Sequence, residues 1–453
     1  MSGSSESRFF MLAMLANKPL QVAKSDASCV CMVLVMMPPD ETVPIVYVGS
    51  QLQDGRYNQP LIPITKEYVM PLTLNSTLDS LKPSGIRRFS AMAKATPGCI
   101  SLTLGEPDGN TDEAVKSQVT ADLAANLTHY PANNGQPYLR EAIATHMRDV
   151  RGLAALGYAP DEIVVTSGAT EALFAALSTM LNPGDEVIIP APAYILYESI
   201  ATLSRATPVF MDTCPAGFQI TRDMLTAAAT ERTKAVIITS PNNPTGCVLS
   251  EDSLDAVADF ARERDVFVIC DDVYGRLVYA EGFQSFAARH PELRDRIVVC
   301  DSFSKPYAMT GWRLGWIAAD ASFIAQAAKM HQYMVSSVPS FVQHAAVAAL
   351  ESDIEPALEV YQERRDLVLR RLDEIGLPVN RPDGAFYAFP SIERFGLTSE
   401  EFCERLIKEA GVALVPGALF GAEGYARLSY CCSMDDIAEG LNRLETFVRT
   451  LEN

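Results

Sequence analysis

The residues best suited to chemistry fall in four short clusters, each directly after an apolar run. In Asp301-Ser302-Phe303-Ser304-Lys305 a lysine follows such a run, and Arg313 lies eight residues further on. A lysine amine acts as nucleophile or base only when deprotonated, and desolvation with neighbouring positive charge favours that form. Ser302 and Arg313 are also donor types that grip a phosphate, arginine through its fixed fork. In Val268-Ile269-Cys270-Asp271-Asp272-Val273-Tyr274, Asp271 leaves an apolar stretch, where a carboxylate is costly to bury unless a cation meets it. A protonated pyridine nitrogen would be such a cation, and the carboxylate would keep that ring electron-accepting.

The other two clusters are weaker by themselves. Ser167-Gly168-Ala169-Thr170-Glu171 has the small residues of a turn that opens a helix, whose free N–H groups make an anion site. Taken alone it reads as an ordinary helix cap. Ser240-Pro241-Asn242-Asn243-Pro244-Thr245-Gly246 reads as a turn. An amide fixed there, that of Asn243, could donate to a phenolate oxygen.

Positioning these groups falls to an alternation of elements that begins near residue 160. Strand-like runs at 162–166, 186–189, 207–211, 234–239, 266–271 and 297–302 alternate with helical periodicity, as at 170–181 and 194–204. Near-continuous apolar strands separated by amphipathic helices predict a largely parallel sheet covered on both faces. Ligands of such sheets sit at the carboxyl ends of the strands, where all four clusters fall. A long helix is expected from 321 to about 351, then a second αβ region with strands at 382–389 and 426–430. Residues 1–72 differ: short β-branched runs bounded by Pro, Gly and Asp predict strands and a hairpin. They carry no evident chemistry, and a small β unit or a dimer-clasping arm both remain open.

Bulk properties narrow the function. With 453 residues the chain is long enough for two lobes and an extension. A net charge of −19 argues against a nucleic-acid partner, which would require a basic footprint. Ten cysteines without a Cys-x-x-Cys pair predict buried thiols in a reducing compartment, and five histidines without ligand spacing predict no metal. No apolar run approaches the roughly 20 residues of a membrane span. The apolar stretch 9–16 is short and has Glu6 upstream, so a cytoplasmic location is expected.

Taken together and in this order, SPNNPTG, DDVY and SFSK followed by GWRLGW resemble the class I/II, fold-type I pyridoxal-phosphate aminotransferases, over roughly residues 74–451. The resemblance implies a large domain with a mostly parallel seven-stranded sheet flanked by helices, plus a smaller α/β domain. The corresponding division is an extension at 1–72, small-domain residues at 73–105, a large cofactor domain at 106–345 and the rest of the small domain at 346–453. It implies pyridoxal 5′-phosphate bound to Lys305, which would also move the substrate's α-proton. Asp271 would pair with the pyridine nitrogen, Asn243 and Tyr274 would hold the ring oxygen, and Tyr194 would stack on the ring. Gly168, Ala169, Thr170, Ser302 and Arg313 would bind the phosphate, joined by Tyr130 from a neighbouring subunit, so a homodimer is expected. Arg427, with the backbone of Gly105, would clamp the substrate α-carboxylate.

The family often has Asp-Glu-x-Tyr where this chain has Asp271-Asp272-Val273-Tyr274, and tryptophan where Tyr194 stands. Neither change removes a reacting group. The implied reaction moves an amino group between an L-amino acid and a 2-oxo acid through a Lys305 aldimine and pyridoxamine phosphate. A lyase on the same scaffold would share Lys305 and Asp271. A cofactor-binding regulator would require a basic helix-turn-helix segment, which residues 1–72 do not offer. Which amino acid is used stays open, because Arg427 would read only the carboxylate common to all of them.

Overall fold

The computed structural model describes residues 32–36, 45–49, 62–63, 74–81 and 83–452. Their contacts divide the chain into two units, Met1–Ser76 and Thr77–Asn453. In the first unit, strands β1 (Met32–Met36), β2 (Ile45–Gly49) and β3 (Ile62–Pro63) form an antiparallel sheet, with Leu34 opposite Tyr47 and Val46 opposite Ile62. The segments that join these strands, within the region where a hairpin is expected, lie outside the described residues.

The second unit is organised around a seven-stranded sheet. After a short strand β4 (Ile100–Ser101) come β5 (Ile163–Thr166), β6 (Glu186–Ala191), β7 (Thr207–Asp212), β8 (Thr233–Thr239), β9 (Phe267–Asp271), β10 (Ile297–Ser302) and β11 (Gly315–Ala318). The seven from β5 to β11 are ordered β5-β11-β10-β9-β8-β6-β7, and all are parallel except β11, which runs antiparallel to β5 and β10. The mostly parallel sheet expected from the alternation is therefore present. Strand β11 is an addition: its Gly-Trp-Ile-Ala sequence is too short to announce itself beside the Gly311–Gly315 turn residues. Every residue of β5, β10 and β11 is buried. Helices cover both faces, Leu173 and Leu177 packing with Ile237 and Ile317 on one side, and Leu139 and Ile143 with Val165 and Trp316 on the other. Each such side chain, fully buried, contributes about 1.5–3 kcal/mol.

The helix expected over 321–351 is two helices, Ala321–Val335 and Gln343–Leu350. Ser336 takes a left-handed conformation (φ 66°), and Pro339 cannot continue the hydrogen-bond ladder. A separate core is built on Phe89, Phe386, Phe402, Leu428 and Leu441. It surrounds β12 (Tyr387–Ala388), β13 (Val412–Ala413), β14 (Val415–Pro416) and β15 (Ala426–Ser429), with sheet order β12-β15-β14 and β13 paired to β4. The strand expected at 382–389 shrinks to two residues, because Gly384 and Ala385 instead bond to Gly246 and Leu277. Among the described residues no helix is long and apolar enough to cross a membrane.

Candidate active site

All six parallel strands present their carboxyl ends at one edge of the large sheet, and a cavity of about 290 Å³ opens there. Each parallel strand's exit turn can place one polar side chain in it. Strand β5 leads through Ser167 to Ala169 and Thr170, β8 to Asn243, β9 ends on Asp271, and β10 ends on Ser302 with Lys305 three residues on. All of these line the cavity, as do Gly105, Tyr194, Tyr274, Arg313 and Arg427. Gly105 and Arg427, 322 positions apart in the sequence, are thus brought to one enclosure.

Lys305 is half-buried, and its Nζ donates to the Gly105 carbonyl oxygen at 2.6 Å. Burial, aided more weakly by Arg427 and Arg313, pulls its amine down to about 8 against the opposing pull of Cys431 and Glu106. Such an amine is partly neutral near physiological pH, as a nucleophile must be. Asp271 is 4% exposed and accepts from the Tyr197 hydroxyl at 2.5 Å. Burial pushes this carboxyl up to about 6, with the Tyr197 bond opposing. Tyr197 also contacts the Thr239 hydroxyl at 2.6 Å, so the acid is held from the β8 side as well.

At the helix start Gly168–Met180, Gly168 has φ +77°, and a Cβ there would lie 2.6 Å from an Arg313 guanidinium nitrogen. Only glycine allows that approach, which leaves the fork of Arg313 beside the helix's free N–H groups. Arg313 donates to the carbonyls of Thr310 (2.8 Å) and Ser167 (3.4 Å), and has no carboxylate partner among the described residues. The Ser302 hydroxyl lies within hydrogen-bonding reach of the Ser304 hydroxyl (2.8 Å) and the Leu314 carbonyl (3.1 Å), and it accepts from the Ser304 amide.

Arg427 is 2% exposed yet faces no carboxylate among the described residues. Its guanidinium donates to Asn243 Oδ1 at 2.9 Å and to the Thr103 carbonyl at 2.7 Å, while its buried Nε has no partner among the described residues. Tyr387 and Phe420 stack on it at 4.6 and 4.9 Å. A buried cation without a counter-ion is costly, so an anionic ligand at this place is strongly favoured. Tyr274 and Tyr387 join through their hydroxyls at 2.8 Å.

Two residues singled out in the sequence stand apart from the cavity wall. Gly168 acts from behind Ala169 through its close approach to Arg313, and Tyr130 is 94% exposed on the surface. Others were missed. Tyr197 stands in the first turn of the helix Leu196–Leu203, where no motif marks it. Tyr387 lies inside the PDGAFYAF strand candidate, and Ser304 and Thr310 flank Lys305 without any pattern to mark them.

A donor set of this kind, with an amine, a distant carboxylate, an anion cradle and an unpaired buried arginine, suits an anionic aromatic aldehyde and an amino acid together. The model for the family "Aminotransferase class I and II" matches residues 97–444. The chain belongs to that family. It is 42% identical to the putative aminotransferase YugH of Bacillus subtilis, over 83% of this chain and 98% of the relative. It is 40% identical to an aspartate aminotransferase of Pyrococcus abyssi, over 83% of this chain and 99% of the relative. Among solved structures it resembles the aspartate aminotransferase from Thermus thermophilus with maleate, with a TM-score of 0.78 and 33% identity over 83% of this chain and 99% of that one. Its reaction is amino-group transfer; a lyase on the same scaffold is not favoured.

Proposed function

We propose that the cavity holds pyridoxal 5′-phosphate and exchanges an amino group between an L-amino acid and a 2-oxo acid. The observation that carries this reading is that Lys305 and Asp271 line one cavity, with the Gly168–Arg313 cradle and the unpaired Arg427. The bound cofactor supplies an electron sink for the substrate's α-carbon. The residues of this chain do the rest. Ala169, Thr170, Ser302 and Arg313, assisted by the helix N-terminus behind Gly168, hold the phosphate. Asp271, kept in place by Tyr197, meets the ring nitrogen, and that cation compensates its burial. Asn243 and Tyr274 hold the ring oxygen, and Tyr194 covers the ring face. Arg427 takes the α-carboxylate through its fork, with the backbone of Gly105 close by. Lys305, whose amine burial pulls down to about 8, would hold the cofactor's aldehyde carbon, and as a free amine would move the proton at the substrate's α-carbon, a role worth roughly 10²–10⁴-fold in rate.

The working assembly in this reading is a homodimer. Tyr130 is exposed beside other exposed apolar side chains, Leu127, Tyr333, Met334 and Val335. The two stretches are tied together, since the Asn133 carbonyl meets His331 Nε2 at 2.8 Å and Ser340 donates to the Leu127 carbonyl at 2.5 Å. Such a surface fits a second copy, with Tyr130 reaching that copy's phosphate.

The test is direct. Reduction of the native protein with labelled borohydride places the label on Lys305, and incubation with an amino acid alone converts the cofactor stoichiometrically to its amine form. Label on another residue, or continuous release of ammonia without oxo-acid dependence, would overturn the reading. Lys305→Ala loses both the label and turnover, the latter by at least the roughly 10²–10⁴-fold of general-base catalysis.

A further inference from the structure

The side of β9 and β10 turned away from the cavity carries a charged cluster that nothing described so far uses. Along a strand successive side chains alternate between faces. Asp271 and Ser302 face the cavity, so their neighbours Asp272 and Asp301 turn to the rear. Both meet Arg151, which stands in the turn after helix Pro137–Asp149. Its Nη1 donates to Asp301 Oδ2, and its Nη2 reaches Asp272 Oδ2 at 3.2 Å. All three side chains are 5% exposed or less.

The guanidinium reaches further than this ion pair. A Cβ on Gly275 would lie 2.0 Å from Arg151 Nη2, so the turn that leads from Asp272 through Tyr274 closes directly over it. The Gly275 amide completes that turn by donating to the Asp272 carbonyl at 2.8 Å. Asp301 in its turn accepts from the Ser302 amide at 2.7 Å, and the Asp272 amide donates to the Cys300 carbonyl at 2.8 Å. One side chain therefore touches the end of β9, the turn bearing Tyr274 and the end of β10. Each is an element from which a cavity residue projects.

We propose that Arg151 is a positioning residue for transamination: from the rear of the sheet it fixes the ends of β9 and β10 and so sets where Asp271, Tyr274, Ser302 and Lys305 meet the cofactor. The arrangement is costly enough to require a reason. Two carboxylates and one guanidinium leave a net buried charge of −1 when all are ionised, and burial pushes Asp301 up to about 7 despite the opposing pull of Arg151. A well-packed apolar trio would fill the same space at no such cost. What the ionic trio adds is geometry, because a planar fork bonds two acceptors in fixed directions.

The inference rests on the cofactor roles given above, and the experiment separates the two. The holoenzyme is compared with Arg151→Met, Arg151→Lys and the neutralised Arg151→Met/Asp272→Asn/Asp301→Asn, the last leaving no uncompensated acid. Steady-state kinetics, the cofactor dissociation constant and the visible circular dichroism of the bound cofactor are read for each. In Arg151→Met, kcat falls on the order of 10²-fold, the effect of displacing reacting groups by about 1 Å. KM for the amino acid stays near its original value, because Arg427 is untouched. Cofactor is held less tightly, and its visible dichroism weakens. Arg151→Lys, which keeps the charge but not the fork, lies between. If Arg151→Met fails to fold, the neutralised variant decides, and if that also fails, Arg151→Lys decides. A folded variant with native kcat, cofactor affinity and dichroism overturns the proposal. Absence of any cofactor band in the unmutated protein would instead sink the cofactor assignment.

Discussion

The two faces of the sheet at the ends of β9 and β10 handle buried charge in opposite ways. On the rear, Arg151 has two carboxylates, and those carboxylates have it and a backbone amide. On the cavity side, the buried Arg427 has no carboxylate among the described residues, the buried Asp271 has a phenol as its side-chain partner, and Arg313, which is exposed, likewise lacks a carboxylate there. On the rear the charged side chains are partnered by one another, and on the front they are not. Buried charge without a partner is unfavourable in the protein alone, so the open face is where ligands supply the missing partners. The phosphate, ring nitrogen and α-carboxylate of the proposed ligands are opposite in charge to Arg313, Asp271 and Arg427.

The largest effect that tests this contrast falls on Arg427. Arg427→Ala removes one partner of a buried charge pair formed only with substrate, a loss of about 2–5 kcal/mol. That corresponds to roughly 30- to several-thousand-fold in kcat/KM. Arg427→Lys recovers little, since an ammonium cannot reproduce the fork. Steady-state kinetics with any accepted amino acid checks it. A change of less than about threefold would mean that the front arginine is not waiting for a carboxylate.

A smaller effect comes from Asp271, whose carboxyl burial pushes up to about 6 in the protein without ligand. Its folded value lies above its ordinary one, so the free protein binds a proton there as pH falls through about 6. A cationic ring nitrogen opposite favours the ionised form. Cofactor affinity therefore rises with pH through that range as the carboxylate forms. The phosphate's second ionisation near 6 contributes to the same slope, so the comparison is with Asp271→Asn, which loses only the share due to the acid. Equal slopes in titrations of the two apoproteins would remove Asp271 from the ring nitrogen.

How much of this could be read from the chain alone follows the same division. The front was legible because its residues sit in compact local patterns: SFSK places Lys305 after a strand, and SPNNPTG places Asn243 in a turn. The parallel sheet was legible through its apolar runs, whose burial is near complete in β5 and β10. The rear was not, because Arg151 lies 121 residues from Asp272 and 150 from Asp301 in an unremarkable turn. Period 2 puts Asp272 on the face opposite Asp271 but does not say what its side chain meets there. Tyr197 escaped for a related reason: its role depends on a hydrogen bond across to β9, which no local spacing reveals.

The smallest effect concerns the rear face and a neutral group beside it. His146 is 4% exposed, its Nδ1 has no hydrogen-bond partner among the described residues, and its ring meets Trp316 edge-on at 6.5 Å. Burial first, then Arg151 and Arg276, pull it down to about 3 from an ordinary value of 6.5. A folded value below the unfolded one means that the unfolded chain binds the extra proton between those limits. Stability linked to His146 is therefore fully present above about 6.5 and is lost as pH falls toward 3. At pH 4.5 the loss amounts to roughly 2–3 kcal/mol, since each unit of pH inside the window is worth about 1.4 kcal/mol. Asp301 works the other way, taking up a proton below about 7 and easing the net negative charge of its cluster. His146→Gln removes the first contribution and keeps the second. Urea unfolding of both proteins at pH 7 and pH 4.5 isolates it as a double difference, in which any constant cost of the substitution cancels. If both lose the same stability between the two pH values, His146 is not held neutral, and the rear face is less thoroughly closed than its ion pairs imply.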